Sequence, residues 1–151
     1  MRFERSGKID ASIDKVFECI TDINFLKSEI ARFKKDERPK LHYDKKAPFG
    51  KGNKIILTID SSQLIFKIDE CIKPNMLAIT AFHGKHKKLF GSLFCEISLK
   101  NVQGKTVYKS IYTSEKSPKG IFHFLIKIYL SLSWFNGSRR FKKYVQLQKS
   151  V

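Results

Sequence analysis

Three side chains could orient or react with a ligand in an otherwise apolar setting. Tyr108 and Tyr112 are four residues apart in a strand-like segment, so they share one face, while Val107 and Ile111 share the other. Either pair could face inward. His123 lies on an apolar stripe nearer the C-terminus, where an imidazole can donate or accept a proton near neutral pH, although a partly exposed histidine near a helix start fits the same pattern. These groups could hold the polar end of a ligand or act as general acid or base.

Aromatic residues are the second chemical feature. Phenylalanine alone occurs 13 times, and aromatic walls suit sterol, isoprenoid, aromatic polyketide or acyl ligands, although such side chains also fill ordinary cores. Gly137 is a mid-helix glycine, which costs about 1 kcal/mol relative to alanine, so it either opens space for a ligand or marks a kink. The candidates for an aromatic wall are Phe66, Phe82, Phe94, Trp134 and Phe141.

The sequence shows no motif of a catalytic or metal centre. Asp69 and Glu70 are adjacent in a strand and are expected on opposite faces, which would prevent them from acting as a pair. Glu96 is expected in solvent, because the other face of its strand is more apolar. Residues 83–86 combine two histidines with a lysine and lack an acidic or cysteine ligand, so no metal is expected. Phosphate-binding loops, nucleophile elbows and dinucleotide fingerprints are missing too, so we expect no cofactor and leave catalysis open.

Length and composition indicate one globular domain. With 151 residues, of which 42% are hydrophobic, the chain can bury one core and leave part of it hollow, whereas two domains would each lack a core. The three cysteines are widely spaced and odd in number, which favours a reducing, cytoplasmic setting over a disulfide framework. The charged N-terminal residues do not resemble a secretory signal, so no export is expected.

The sequence is strongly basic. It has 30 Lys and Arg against 14 Asp and Glu, a formal net charge of +16, which would attract polyanions or an anionic membrane surface. The charge is dispersed over nearly every loop, so a solvated, lysine-rich surface explains it without any partner. A nucleic-acid or protein interaction module stays open as an alternative, with nucleic acid the less expected partner.

The order of helices and strands would place these side chains on a sheet. Residues 10–22 predict a first helix, capped by Ser12 or Asp10, and residues 24–35 predict a second, capped by Asn24. Hydrophobic alternation and the spacing of turn residues then predict six strands, which join an N-terminal strand in a sheet of seven. Because the connections are short, the strands should be antiparallel. The six predicted spans are 39–46, 53–60, 63–72, 76–83, 88–100 and 105–114.

A long helix is predicted after Gly120. One apolar stripe persists to its end and is expected to face the sheet. The opposite stripe turns basic at Arg139 and Lys143 and needs a cover, which could be a loop, a membrane surface or a second copy in a homodimer. Residues 121–135 are too short and too polar for a membrane span. The sheet-facing stripe is His123, Ile126, Leu130, Trp134, Gly137, Phe141 and Tyr144 or Val145; the opposite stripe is Ile121, Leu125, Ile128, Leu132 and Phe135.

Several local motifs, taken in this order, resemble the helix-grip fold of the START-related superfamily. This superfamily is also called SRPBCC or birch-pollen-allergen-like, and it includes polyketide cyclase/dehydrase-type members. Phe25-Leu26 departs from its pattern, since many members have a proline and a tryptophan there. The similar motifs are Ala11-Ser12, Val16-Phe17 and Ile20-Thr21-Asp22 for its opening helix, Gly50-Lys51-Gly52 for its glycine pair, Ile68-Asp69-Glu70 with Lys73-Pro74-Asn75 and Leu77 for its central hairpin, and Phe141-Lys142-Lys143 near its C-terminal helix end.

The resemblance implies an α+β fold: a curved antiparallel sheet of seven strands, two short helices after the first strand, and a long C-terminal helix that closes an apolar cavity over the concave face. We therefore expect one domain that binds a hydrophobic small molecule or lipid in that cavity, with transport as an extension. Desolvation would supply the affinity, and His123 or a tyrosine would orient the polar end. A cyclase or dehydratase-type enzyme using the same cavity is the alternative, because such a fold does not fix a function.

Overall fold

The computed structural model describes residues 2–33, 35, 38–59, 62–83, 91–116 and 138–148. Its helices are α1 (Ile13–Ile20), α2 (Ile23–Ile30) and a C-terminal helix that includes residues 138–147. Its strands are β1 (Arg2–Ile9), β2 (Lys40–His42), β3 (Lys54–Ile59), β4 (Ser62–Ile72), β5 (Met76–His83), β6 (Ser92–Val102) and β7 (Lys105–Ser114). The seven strands form one antiparallel sheet in the order β1-β7-β6-β5-β4-β3-β2. This confirms the predicted α+β helix-grip architecture.

The two short helices begin at side-chain caps. The Ser12 hydroxyl accepts a hydrogen bond from the Lys15 amide (3.4 Å) at the start of α1. Of the two predicted caps, Ser12 and Asp10, the structure thus selects Ser12. At the start of α2 it is Asp22 whose Oδ1 accepts from the Asn24 amide (2.8 Å). The prediction of Asn24 as the cap is therefore wrong, because the Asp22 carboxylate two residues earlier accepts from the free amide.

The second helix ends earlier than predicted. It stops at Ile30, and residues 31–33 form turns and a bend where the prediction continued the helix. The Arg38 guanidinium donates to the carbonyls of Ala31 (3.1 Å) and Phe33 (3.0 Å). These carbonyls at the helix end are thus satisfied by a side chain in place of another helical turn.

Turn chemistry fixes two strand boundaries. β2 is only three residues long, and in the bend that follows it the Asp44 carboxylate accepts from the Lys46 amide (2.8 Å). The hairpin between β6 and β7 is a two-residue turn in which Gln103 (φ 53) and Gly104 (φ 77) both have positive φ. Such turns match the twist of paired strands, so both strands extend fully to the hairpin.

Buried side chains lie between the helices and one face of the sheet, which we call the inner face. Partly buried Ile20 and Cys71 pack against both clusters of buried residues, so the core is continuous. The first cluster joins the C-terminal helix to α1 and to the β1, β6 and β7 strands, and the second lies on β3, β4 and β5. The first comprises Ile9, Ala11, Val16, Phe17, Cys19, Leu99, Tyr108 and Val145, and the second Ile55, Ile68 and Leu77.

A β-bulge in β4 overturns the expectation that Asp69 and Glu70 point to opposite faces. The register against β5 shifts between Ile68 and Glu70, and Ile68 and Cys71 both pack in the core. The two residues between them therefore both lie on the opposite, outer face, because the bulge adds one residue to the strand. Asp69 accepts a hydrogen bond from Thr80 (2.5 Å), and Glu70 pairs with Lys51, so the two carboxylates have separate partners.

A close approach between β1 and β7 depends on Gly7. Gly7 is aligned with Tyr108, and a Cβ at residue 7 would lie 2.6–2.8 Å from the Oη, Cζ and Cε1 atoms of the tyrosine. The tyrosine ring thus covers the glycine, and only a residue without a side chain fits beneath it. Strand glycines commonly mark such contacts.

We expect Gly7→Ala to lower the free energy of unfolding by about 1–3 kcal/mol, because the added methyl forces the Tyr108 ring out of its packed position. Urea unfolding at neutral pH measures the change. Ser6→Ala is the matched control, since Ser6 is exposed on the outer face of the same strand, and it should stay within about 0.5 kcal/mol of wild type. Equal stability of the two variants would contradict the close approach.

Candidate functional site

A row of hydroxyl-bearing residues on β7 crosses the inner face of the sheet. Thr106, Tyr108 and Ser110 are 0%, 8% and 4% exposed, and Tyr112 continues the row at half burial. The two tyrosines therefore face inward, and Val107 and Ile111 face outward, which settles the orientation that the sequence left open. Thr106 donates to the Ala11 carbonyl (2.8 Å) and ties β7 to the start of α1. The row places polar groups on an otherwise apolar surface.

Tyr108 links the sheet to the C-terminal helix. Its ring lies over Gly7, and its hydroxyl lies near Ser138 of the helix. Burial raises the pKa of Tyr108, and the nearby Ser138 side chain opposes part of that rise. The phenol is therefore neutral near physiological pH and offers a hydrogen bond rather than a charge.

Tyr112 forms a second polar contact with β6. It is aligned with Cys95, and the phenol hydrogen-bonds the cysteine sulfur. Burial raises the pKa of Cys95 to about 11, with the Tyr112 hydrogen bond lowering it. Burial likewise raises the pKa of Tyr112 well above its usual range. Both groups are thus protonated near neutral pH, and the cysteine is poorly suited to act as a nucleophile.

Arg5 on β1 is the residue of this region that the sequence reasoning missed. It alternates with Phe3, Gly7 and Ile9 on the inner face and is aligned with Ser110. Its guanidinium carbon lies 4.4 Å from the centroid of the Phe3 ring, a cation–π distance. The period-two pattern from Phe3 to buried Ile9 is the signal that could have placed Arg5 on this face.

The C-terminal helix is anchored to α2 and to the Asp22 cap by polar contacts. Arg140 donates to Glu29 Oε2 from Nε (2.7 Å) and from a terminal nitrogen (2.6 Å). Tyr144 donates to Asp22 Oδ2 (2.6 Å), and burial together with Asp22 raises the pKa of Tyr144 to about 12. These contacts hold the helix end across the sheet.

Aromatic contacts supplement this anchor. The Phe25 ring lies edge-on to Phe141, with centroids 5.3 Å apart, and 5.1 Å from the Tyr144 ring. Phe141 and Tyr144 pack against the first cluster, and Val145 is fully buried. The described end of the sheet-facing stripe thus faces the core as predicted, while Arg139 and Lys143 are exposed.

The structure separates the predicted aromatic wall residues by face. Phe66 packs on the inner face against the second cluster. Phe82 and Phe94 are on the outer face, since they alternate with inner residues of β5 and β6, and Phe94 is 36% exposed. We therefore remove both from the candidate site.

Glu96 is on the outer face as expected, opposite the apolar set that ends at buried Leu99. His123, Ile126, Leu130, Trp134 and Gly137 lie outside the described residues.

Over the part of the chain that the structure describes, no group of three or more His, Cys, Asp or Glu side chains could hold a metal ion. Residues 84–86 of the histidine-containing segment lie outside that part. No helix in the described ranges is long and apolar enough to span a bilayer.

Comparison with known proteins yields similarity in structure only. No protein-family model matches the sequence, and no curated protein matches it. The Aha1 dimer structure from Colwellia psychrerythraea is similar, with a TM-score of 0.67, 14% identity and 96% of each chain covered. CalU16 from Micromonospora echinospora has a TM-score of 0.65 and 12% identity over 95% of this chain and 73% of its own. Norcoclaurine synthase from Thalictrum flavum has a TM-score of 0.66 and 12% identity over 98% and 87%.

These neighbours all have the helix-grip fold. The chain therefore has the helix-grip fold of the START/SRPBCC, birch-pollen-allergen-like superfamily, as the resemblance of its motifs predicted. At identities of 12–14% the likeness concerns the fold.

The Arg140–Glu29 pair should contribute measurably to stability. Its side chains are 34% and 25% exposed, whereas those of the Lys51–Glu70 pair are 68% and 39% exposed. We expect Arg140→Ala to lower the free energy of unfolding by about 1–2 kcal/mol, because it removes charge-assisted hydrogen bonds and leaves Glu29 half-buried. Lys51→Ala should change it by less than about 0.5 kcal/mol. Urea unfolding of both variants tests this, and equal effects would show that the Arg140 contact does not anchor the helix.

Proposed function

We propose that this protein binds a hydrophobic small molecule against the inner face of its sheet, beneath the C-terminal helix. The observation that carries the proposal is the β7 row, in which Tyr108, Ser110 and Tyr112 place hydroxyl groups on an apolar face. An apolar surface with a few directed polar groups is the usual composition of a small-molecule site. The apolar area supplies affinity through desolvation, at about 25 cal/mol per Å² buried.

The inner side chains of β6 and β4 support this proposal. Cys95 and Ile97 are half-buried beside Tyr112 and Ser110, and Phe66 on β4 adds an aromatic surface to the same inner face. His123, Ile126, Leu130, Trp134 and Gly137 are proposed to cover the ligand from the helix, as the sequence pattern predicts. Norcoclaurine synthase, a neighbour in fold, is described in complex with dopamine and hydroxybenzaldehyde. A fold of this kind can therefore hold small aromatic molecules.

Binding is better supported than catalysis by these groups. The raised pKa values of Tyr108 and Tyr112 leave both phenols protonated near neutral pH, so neither is available there as a general base. A neutral phenol can still take part in a hydrogen bond with a ligand without acting as a base. A cyclase or dehydratase activity would need another group as the base, with His123 the candidate from the sequence.

The neutral fluorophore N-phenyl-1-naphthylamine tests the proposal. Its fluorescence should rise on addition of the protein, because the dye leaves water for an apolar site. Cys95→Phe should weaken binding about tenfold or more, since a large ring on the inner face occupies the space of the ligand. Native mass spectrometry of the purified protein provides a second readout of any molecule already bound.

Phe94→Ala is the control for the choice of face. Phe94 precedes Cys95 in the chain but is exposed on the outer face, so its removal should leave dye binding unchanged. Loss of binding in Phe94→Ala, with Cys95→Phe unaffected, would place the dye on the outer surface and refute the proposal. Absence of dye binding together with absence of any bound mass would refute it as well.

The net charge of +16 favours a second function, in which the basic surface brings the protein to anionic membranes to deliver or extract a lipid. Each Lys or Arg near such a surface contributes about 1 kcal/mol at low salt. The protein should co-sediment with phosphatidylserine-containing vesicles in about 50 mM salt and be released in about 500 mM salt, where charge is screened over a few ångströms. Dye binding on the inner face should hardly respond to salt.

Matched samples separate the remaining partners. Phosphatidylcholine vesicles should not retain the protein at either salt concentration, and retention on them would exclude a charge-driven association. Steep salt-dependent binding to a DNA duplex, without retention on vesicles, would favour a nucleic-acid partner instead. Size-exclusion chromatography of the same preparation would show whether a homodimer forms.

A further inference from the structure

An apolar patch lies on the outer face of the sheet, near the end where β3 stops and β4 begins. The register places Ile56 beside Ile65 and Ile65 beside Phe82. Phe94 on β6 is aligned with Thr80 of β5, so it is the diagonal neighbour of Phe82 on the same face. Phe94 is 36% exposed and the other apolar side chains are half-buried. We call Ile56, Ile65, Phe82 and Phe94 the outer patch.

Lysines border the outer patch on two sides. Lys40 is at an exposed outer position of β2 on one side of the isoleucines, and Lys54 and Lys67 are aligned with each other on the other side. Like charges directly opposite on paired strands destabilise a sheet. Lys67 Nζ lies 3.6 Å from Asp69 Oδ1, whereas Lys40 and Lys54 have no ion pair in the part of the chain that the structure describes. An anion lying over these lysines would relieve their repulsion.

The carboxylates nearest the isoleucines have partners within the protein. Their contacts are the Lys46 amide for Asp44, the Thr80 hydroxyl for Asp69 and the Lys51 ammonium for Glu70. Glu96 is one outer position beyond Phe94 on β6, three strands away from Lys54 on β3. Lys40 and Lys54 therefore remain the open charges at the isoleucine end of the outer patch.

A second copy of this chain suits the outer patch poorly. A two-fold interface brings the same surface of both copies together. An interface centred on the isoleucines would therefore bring the bordering lysines of the two copies close to one another. Such like-charge contacts oppose association, so the charge of this surface favours an anionic partner.

An anionic membrane matches both the apolar and the charged part of the surface. Isoleucine and phenylalanine side chains gain from entering the boundary between headgroups and acyl chains, and lysines beside them can extend their charge to the lipid phosphates. A single-stranded nucleic acid would stack its bases on the phenylalanine rings, but it would leave the isoleucines without a matching contact. The aliphatic half of the outer patch thus favours lipid.

We infer that the outer patch, together with Lys40, Lys54 and Lys67, is the surface through which the protein contacts an anionic membrane. This inference rests on the second function proposed above, association with anionic membranes, and names its surface. The outer patch lies beside the end of β3 and the start of β4, so a lipid leaving the bilayer would reach the inner face around that end of the sheet.

Sedimentation of two double variants with vesicles tests the inference. On vesicles of equal parts phosphatidylserine and phosphatidylcholine at low salt, Lys40→Gln/Lys54→Gln should bind about tenfold or more weakly than wild type, because each lysine near an anionic surface adds affinity. Lys8→Gln/Lys100→Gln is the matched control, since it removes the same charge from exposed outer positions at the opposite end of the sheet. The control should bind within about twofold of wild type.

Quenching by brominated acyl chains tests contact with the outer patch directly. The sequence contains one tryptophan, so the wild type supplies the background signal. The fluorescence added by Phe94→Trp should be quenched in vesicles whose phosphatidylcholine carries brominated chains, because the indole lies at the bilayer surface. Val107→Trp, at an outer position of β7 between Lys8 and Lys100, should add fluorescence that these vesicles leave unquenched. Circular dichroism confirms that each variant is folded.

The outcomes separate the inference from the proposed membrane association. Vesicle binding by the wild type with equal affinities of the two double variants, or with no quenching in Phe94→Trp, overturns the inference and leaves the association in place. Absence of wild-type protein from the phosphatidylserine-containing vesicles overturns the association and, with it, the inference.

Other occupants of the outer patch give different results. If Lys40→Gln/Lys54→Gln loses binding to oligothymidylate and keeps its binding to vesicles, the surface holds a nucleic acid and the inference is overturned. A wild-type dimer that Phe94→Ala converts to a monomer in size-exclusion chromatography identifies a second copy as the occupant and overturns it as well.

Discussion

The contact between the C-terminal helix and the inner face of the sheet is the interaction on which the rest of the molecule depends. Val145 from the helix, Val16 from α1 and Leu99 from β6 are at most 3% exposed and belong to one cluster. Burying such aliphatic side chains stabilises a fold by about 1.5–3 kcal/mol each. In the described part of the chain α1 and the helix end meet in this cluster, so the space above the sheet depends on how firmly the helix is held.

Polar groups in this space lie beside other polar groups. Thr106 donates to the Ala11 carbonyl, Tyr108 lies near Ser138, and Tyr112 lies beside Cys95. A buried hydroxyl without a partner costs more than a satisfied one. The β7 row therefore connects the sheet to the start of α1, and on the described strands β1, β6 and β7 Arg5 is the charged residue at an inner position. A ligand would meet a surface whose hydrogen-bonding groups are already oriented.

The two faces of the sheet have different chemistry. Outer positions carry ion pairs such as Glu4–Lys109 and Lys67–Asp69, whose side chains are about half exposed or less. Pairs of this kind contribute little to stability. The charged residues at outer positions could therefore be replaced by other residues without loss of the fold. The inner face, in contrast, depends on particular residues, of which Gly7 under Tyr108 has the least freedom to change.

Errors in the sequence interpretation occurred where one strand or one turn departs from its average pattern. Asp69 and Glu70 were expected on opposite faces, but a bulge places both outside. Phe82 and Phe94 were chosen as wall residues by type alone, although β5 and β6 direct them outward. Arg5 does not stand out by residue type in a basic chain, and only its alternation with Phe3 and Ile9 places it on the inner face.

Hydrophobic periodicity and turn residues by themselves determined the order of elements, the antiparallel sheet, a first helix capped by Ser12 or Asp10, and the apolar side of the C-terminal helix. These features depend on residues close in sequence, whose spacing is readable directly. The tertiary structure alone decided that Tyr108 and Tyr112 face inward, that Gly7 supports Tyr108, and that Arg5 is level with Ser110. Such relations join residues about a hundred positions apart, and their register is set by strand pairing that no local pattern specifies.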